Sequence, residues 1–166
     1  LSYTLNNLYH LEVLVNGAGG RMNSSNQIKV STADYEASEV LLTLVISDRK
    51  KGQINLVVSP DNSNGAVFHN EDLQAMENFA SLYISGTDKG KQGSFLEGLK
   101  VEIRLGTIPN GYRFVGVKQN YGNINTAWKP VGNTITITNG NCPDGLTNDE
   151  FINSISGTYY VLFQKV

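Results

Sequence analysis

The sequence predicts a mostly antiparallel all-β fold: a two-sheet β-sandwich, Greek-key or jelly-roll like, with one short helix. A closed β-barrel is the alternative. Three observations point there. Short apolar segments alternate with a period of two, Asn- and Gly-rich turns separate them, and a single stretch carries good helical periodicity. Helices do not alternate with strands, which argues against a parallel α/β design. No fixed-period repeat is present, which argues against a propeller or solenoid.

The segments run as follows. Tyr9 to Val15 reads as a strand, with Tyr9, Leu11, Val13 and Val15 on one face, and Asn16-Gly17 breaks it. Gln27 to Thr32 is a weaker strand. Val40 to Ile46 is the most apolar run, and its β-branching predicts a central strand covered on both faces. With Gln53–Ser59 it is expected to form the first hairpin, Val40–Ser47 being the other arm. Asn70 is placed to cap a helix over about Glu71 to Ala80, where Leu73, Met76, Phe79 and Ala80 form the apolar stripe.

Leu82 to Ser85 starts another strand. Leu99, Val101, Ile103 and Leu105 alternate with Lys100, Glu102 and Arg104, predicting one face to the core and one to water. After the turn at Pro109-Asn110-Gly111, Tyr112 and Phe114 are set against Arg113, Val115 and Val117. Thr134 to Thr138 is a short strand with Ile135 and Ile137 inward. Asp149 to Ser154 suggests one helical turn, and Thr158 to Phe163 a last apolar strand. No linker divides the chain, so residues 1–166 read as one β domain, with Gly86–Gly98 as its mobile loop.

Composition bounds the function. Lys plus Arg number 13 and Asp plus Glu 15, a net charge of -2, so neither nucleic acid nor an anionic membrane is implied as partner. Only 17% of residues are charged, and Asn, Ser, Thr and Gly fill the polar positions. Such a surface suits hydrogen bonding more than electrostatic steering. It fits a secreted protein, or one on the surface of a cell or virion, including lectin-like and adhesion modules. No apolar stretch reaches the roughly 18 residues of a membrane span. Leu1 in place of Met is the start expected of a processed chain or one excised from a larger protein. One glycosylation sequon occurs, Asn23-Ser24-Ser25.

Chemistry is poorly supplied. His10 and His69 are the only histidines and Cys142 the only cysteine, so no zinc-type spacing exists and no disulfide can form within the chain. Cys142 reads as a partly buried structural thiol. Gly86-Thr87-Asp88-Lys89-Gly90-Lys91 faintly suggests a phosphate loop, but three residues separate the glycines where the motif has four, and Gln92 takes the Ser/Thr place. What survives is an anion-contacting loop offering Lys89 and Lys91. Asp61 to Asp72 imitates a calcium loop with Ala66 at the glycine position and Asp72 at the glutamate position, so a polar turn is the better reading. Asp144, Asn148, Asp149 and Glu150 read as a solvated acidic loop. Neither cofactor nor metal is implied, and no catalytic set is identified.

Tyr112–Trp128 is the segment that suggests binding. Its aromatics lie near Asn and Gln, the pairing that sugar sites use for the ring face and the hydroxyls. Tyr121, Asn123, Asn125 and Trp128 are the candidate ligand-binding residues, with Trp128 in the core as the competing assignment. Tyr159 and Tyr160 must point to opposite faces of their strand, leaving one for an interface. The first expectation is a non-enzymatic recognition module for a glycan or a protein surface. The second is a structural or assembly subunit, or terminal domain, of a fibre, pilus or capsid, self-associating through edge strands as a homo-oligomer. A hydrolytic enzyme comes third. A concave aromatic patch rimmed by Asn and Asp would favour the first, and a contiguous apolar patch on a strand the second.

Overall fold

A computed structural model describes residues 9–22, 27–36 and 39–166, in two compact units, one ending at Arg49 and the other running Lys50–Val166. The sequon at Asn23 lies outside the described residues.

In the first unit, β1 (Tyr9–Val15) and β2 (Leu42–Asp48) pair antiparallel, Tyr9 opposite Asp48 and Val15 opposite Leu42. Leu11, Val13 and Val15 are buried, as their alternation predicts, but Tyr9, at the start of the same face, is 41% exposed. Beyond β1, Asn16 takes a left-handed φ of 48°. Its N–H donates to the Leu41 carbonyl at 2.8 Å, and its Oδ1 accepts from the Leu41 N–H at 2.9 Å. A 3-10 turn spans Thr32–Glu36. Its buried Asp34 meets Arg21 at 2.8 Å, and the guanidinium holds that carboxyl down at about 2. The expected strand at Gln27–Thr32 is reduced to a bridge between Met22 and Ile28. The expected hairpin of Val40–Ser47 with Gln53–Ser59 does not form, because β2 pairs with β1 instead.

The second unit is the sandwich. One sheet has the order β6-β3-β10-β8 and the other β5-β4-β7-β9. The strands are β3 (Gly52–Pro60), β4 (Ala80–Ile84), β5 (Thr87–Gly90), β6 (Gln92–Phe95), β7 (Val101–Leu105), β8 (Tyr112–Gln119), β9 (Thr134–Thr138) and β10 (Gly157–Lys165). Neither sheet closes into a barrel. All pairings are antiparallel except β3 with β10, where Gly157 lies opposite Ile54 and Phe163 opposite Pro60.

The core follows from period-two alternation. Ile54 and Leu56 of β3, Leu82 and Ile84 of β4, Val101 and Ile103 of β7, and Tyr159, Val161 and Phe163 of β10 all point inward and share one cluster. Register shifts interrupt three of the pairings, at Leu162/Phe163, Leu82/Tyr83 and Val101/Glu102. Opposite Leu162 and Phe163, β8 bulges, so Phe114 and Val117 both face the core, where strict alternation sets them on opposite faces. In β7 the outward Glu102 is buried all the same, beneath Lys100 at 3.4 Å and Arg104 at 3.3 Å. The Arg104 guanidinium lies over the Tyr83 ring, 4.0 Å from its centroid. Tyr159 is fully buried, and its neighbour Tyr160 turns the other way, with the Lys118 ammonium 5.5 Å from its ring centroid.

Among the described residues there are two α-helices rather than one. Helix α1 (Asn70–Met76) is shorter than expected, and its cap is His69, one residue before Asn70. His69 has the extended backbone of a cap, and Asp72, three residues on, accepts its N–H at 2.7 Å. Phe79 and Ala80 lie beyond the helix, Ala80 already in β4. Helix α2 (Asn148–Ile155) is longer than the single turn expected over Asp149 to Ser154. Thr147 and Glu150 cap it reciprocally, at 3.1 and 3.3 Å, and Phe151 and Ile152 enter the core. Residues Gly86–Gly98, expected to be a mobile loop, contain the β5 and β6 strands.

Asp72 also ties α1 to two strands. It accepts from the Tyr112 hydroxyl of β8 and from Lys165 of β10 at 2.9 Å. The His69 N–H first, then Tyr112 and Lys165, hold its carboxyl well below the usual carboxylate range. A carboxyl whose folded pKa is depressed contributes stability fully above its unfolded value of about 4, and that stability is lost as pH falls. The urea midpoint of the sandwich, followed by Trp128 fluorescence, is therefore expected to drop below about pH 4. Asp72→Asn should flatten the acid limb; an unchanged limb would place the acid sensitivity elsewhere.

Candidate functional site

Two surfaces stand out, one in each unit. In the sandwich it is the β8–β9 connection. Asn120 takes a left-handed φ of 50°, and Gly122 donates back to the Gln119 carbonyl at 3.0 Å, so Tyr121 sits at the tip of a tight turn. The Asn120 Oδ1 accepts the Thr158 N–H at 3.0 Å, pinning that turn to β10. Tyr121 is fully exposed, and Asn123 and Asn125 are exposed beside it in sequence. The Asn125 Oδ1 is engaged by the Ala127 N–H at 2.9 Å. Trp128 is turned the other way: it is half-buried, packs against the core and lies 5.3 Å from the Tyr159 ring.

The segment thus divides into an exposed Tyr121 turn and an anchoring Trp128. Trp128→Ala is expected to destabilise the sandwich by about 3 kcal/mol, because it opens a cavity against Tyr159. Tyr121→Ala should stay within about 0.5 kcal/mol of the parent. Urea unfolding of the two variants checks the division, and comparable losses would refute it.

Lys89 lies in β5, which pairs with β4, and Lys91 links β5 to β6 in the other sheet; the two do not act alike. Lys89 is exposed. The Lys91 ammonium folds back onto the carbonyls of Glu77 and Ala80, and burial pulls its pKa down. Cys142 is half-buried, its Sγ 3.4 Å from the Leu146 carbonyl, and burial pushes the thiol up, away from the thiolate. Among the described residues no group of three or more His, Cys, Asp or Glu side chains is arranged to hold a metal ion. No helix among them is long and apolar enough to cross a membrane. An open cleft of about 450 Å³ beside Pro60, Asn62, Gly65, Ala66, Val67 and Phe68 has no titratable side chain in its lining.

The second surface is β2. Far from being covered on both faces, its apolar side chains are exposed: Leu42 by 42%, Leu44 by 55% and Ile46 by 57% on one face, Leu41 by 64% and Val45 by 40% on the other. Only β1 pairs with it among the described residues. The open edge can be mapped by parity. The Leu41 carbonyl faces β1, where it accepts from Asn16. In an antiparallel ladder alternate residues face alternate sides, so Thr43 and Val45 also face β1, whereas Leu42, Leu44 and Ile46 direct their N–H and C=O groups to the open edge. Just past the end of the strand, the Nε of Arg49 is buried without a hydrogen-bond partner among the described residues.

Comparison with protein families, curated proteins and solved structures finds no match. Function must therefore be read from these two surfaces.

The sequence pointed to the first surface through its aromatic and Asn content, and β2 was read as core. One signal was available. A run of seven residues, Val40 to Ile46, without charge or glycine is as suitable for an interface as for an interior.

Proposed function

We propose that this chain is a structural, non-enzymatic assembly module that joins another polypeptide by strand addition along the open edge of β2. The observation that carries the reading is the row of exposed Leu and Ile side chains on a strand whose outer hydrogen-bonding edge has no partner among the described residues. Soluble proteins protect such edges with charge, proline, bulges or cover, because an open apolar strand recruits other strands. β2 has none of the first three between Leu42 and Ile46. A two-stranded sheet is marginal by itself, and further strands would stabilise it. Backbone pairing would supply the affinity, and the alternating side chains the specificity. The low charge and neutral polar loops suit a setting on the outside of a cell or virion, in a fibre, pilus or capsid.

Titration with a strand peptide tests the reading. A lysine-flanked peptide copying Val40 to Ser47 is expected to cause saturable amide shifts confined to Leu42 through Ile46 in the full chain. Leu44→Lys should remove them without changing the circular dichroism. An edge that accepts no strand overturns the proposal.

A second reading is favoured by the fully exposed Tyr121 beside Asn123 and Asn125: recognition of a glycan or a protein surface by the β8–β9 turn. Screening a glycan array with the parent and with Tyr121→Ala tests it. Binding that Tyr121→Ala abolishes supports a sugar site, and a blank array removes the glycan form of this reading.

A further inference from the structure

We infer that the strand added to β2 is the β2 of a second copy of this chain, paired antiparallel about a two-fold axis through Leu44. This rests on the reading of β2 as an interface and adds the partner and the register.

Parity supplies the first argument. Between Leu42 and Ile46 the residues whose backbone groups face the open edge are Leu42, Leu44 and Ile46. An axis on Leu44 pairs this set only with itself: Leu44 opposite Leu44, and Leu42 opposite Ile46 in both directions. Each such pair exchanges two bonds, so about six hydrogen bonds form and every outward group of the set is used. A four-stranded sheet of order β1-β2-β2-β1 results, which removes the marginality of a two-stranded one. On one face Leu42, Leu44 and Ile46 of both copies become contiguous, beside Val15, Val13 and Leu11, their β1 partners.

Charge supplies the second. Nothing between Val40 and Ser47 is charged, so self-pairing meets no like-charge contact there. Just beyond, an axis on Leu44 places Glu39 of each copy opposite Arg49 of the other. Glu39 is exposed and Arg49 is half-buried, so the register sets opposite charges against each other at both ends of the paired strands. Asp48 falls at the rim, opposite Val40. Neighbouring registers do worse. An axis on Thr43 sets Glu39 against Ser47, and an axis on Val45 sets Arg49 against Leu41 and Asp48 against Leu42. The match at Leu44 is reciprocal, as an isologous interface requires.

The test is the mass of the full chain by light scattering over a concentration series at low salt. The parent is expected to pass from monomer to dimer as concentration rises. Leu44→Lys, which sets two ammonium groups against each other at the axis, should weaken the dimer by 10-fold or more. Leu44 is exposed, so the monomer's fold is not at stake. Glu39→Arg and Arg49→Glu should each weaken it about 2- to 10-fold, and the double variant should recover most of that loss. A parent that stays monomeric throughout overturns the second-copy proposal. In that case strand-peptide binding at β2 leaves the interface reading standing for a different partner, and its absence removes both. A dimer indifferent to Leu44→Lys also overturns the proposal, and failure of the double charge reversal to rescue overturns the register.

Discussion

Replacing Phe163 with alanine is expected to lower the stability of the sandwich by about 3–5 kcal/mol, the range for deleting a buried phenylalanine. The position joins several parts of the core. Its ring is fully buried, 5.1 Å from Phe79 and 5.9 Å from Phe114, both edge-on, and Phe79 in turn meets Tyr112 at 5.2 Å. Phe79 lies just ahead of β4 in the facing sheet, whereas Phe114 belongs to β8 beside Phe163. The cluster therefore spans both layers, and its edge-to-face geometry adds to the area buried. Its backbone sits where β8 bulges, which limits how far the surroundings can collapse into the space left. Thermal unfolding followed by Trp128 fluorescence should show a Tm lowered on the order of 10 °C or more. A loss below about 1.5 kcal/mol would mean that the two sheets close over the gap.

Gly140→Ala is expected to have the next largest effect, about 2–4 kcal/mol. Gly140 has a φ of +99°, and a β-carbon there would lie 2.6 Å from the carbonyl carbon and oxygen of Gly98. The obstacle is backbone, fixed by the Gly98 N–H donating to the Gly140 carbonyl at 2.9 Å and by the Gly140 N–H donating to the Thr138 hydroxyl at 3.0 Å. Nothing there can rotate aside. Gly132 is the control: its φ is +63°, but nothing lies within 4 Å of a β-carbon, so Gly132→Ala meets backbone strain alone, about 1 kcal/mol. Urea unfolding of both variants separates strain from collision. Equal losses would show that the Gly98 loop yields.

Period-two alternation was the part of the fold most legible in the sequence. In β1 and β7 the apolar residues Leu11, Val13, Val15, Val101, Ile103 and Leu105 are buried where their alternation put them, because a strand with one face on a core must repeat every second residue, although Tyr9 is exposed and Glu102 buried against the pattern. Strand β5 was hidden for the opposite reason: Thr87 to Gly90 is exposed throughout, so no apolar residue marks it. The parallel pairing of β3 with β10 leaves no local trace, since partners about a hundred residues apart share neither turn nor spacing. Helix α2 could have been found, for Thr147 followed three residues later by Glu150 is a capping box ahead of an apolar pair. At the candidate sites, composition identified the loop that exposes Tyr121 but not which aromatic would point outward. Nor could it tell an apolar strand that fills a core from one that awaits a partner. That difference lies in what is packed around Val40 to Ile46.

The parallel pair also sets an order on events at the ribosome. β10 lies between β3 and β8, so that sheet cannot assemble until residues 157–165 have been made. At roughly 5–20 residues per second, about a hundred residues of β-rich chain wait for several seconds with the edge of β3 that receives β10 unpaired. The final closure joins segments far apart in sequence, which places folding in the slow, millisecond-to-second class. A nascent chain halted before Thr158 would hold β3 and β8 with open edges and without Tyr159, Val161 and Phe163 in the core, as a substrate for chaperones rather than as a partial domain.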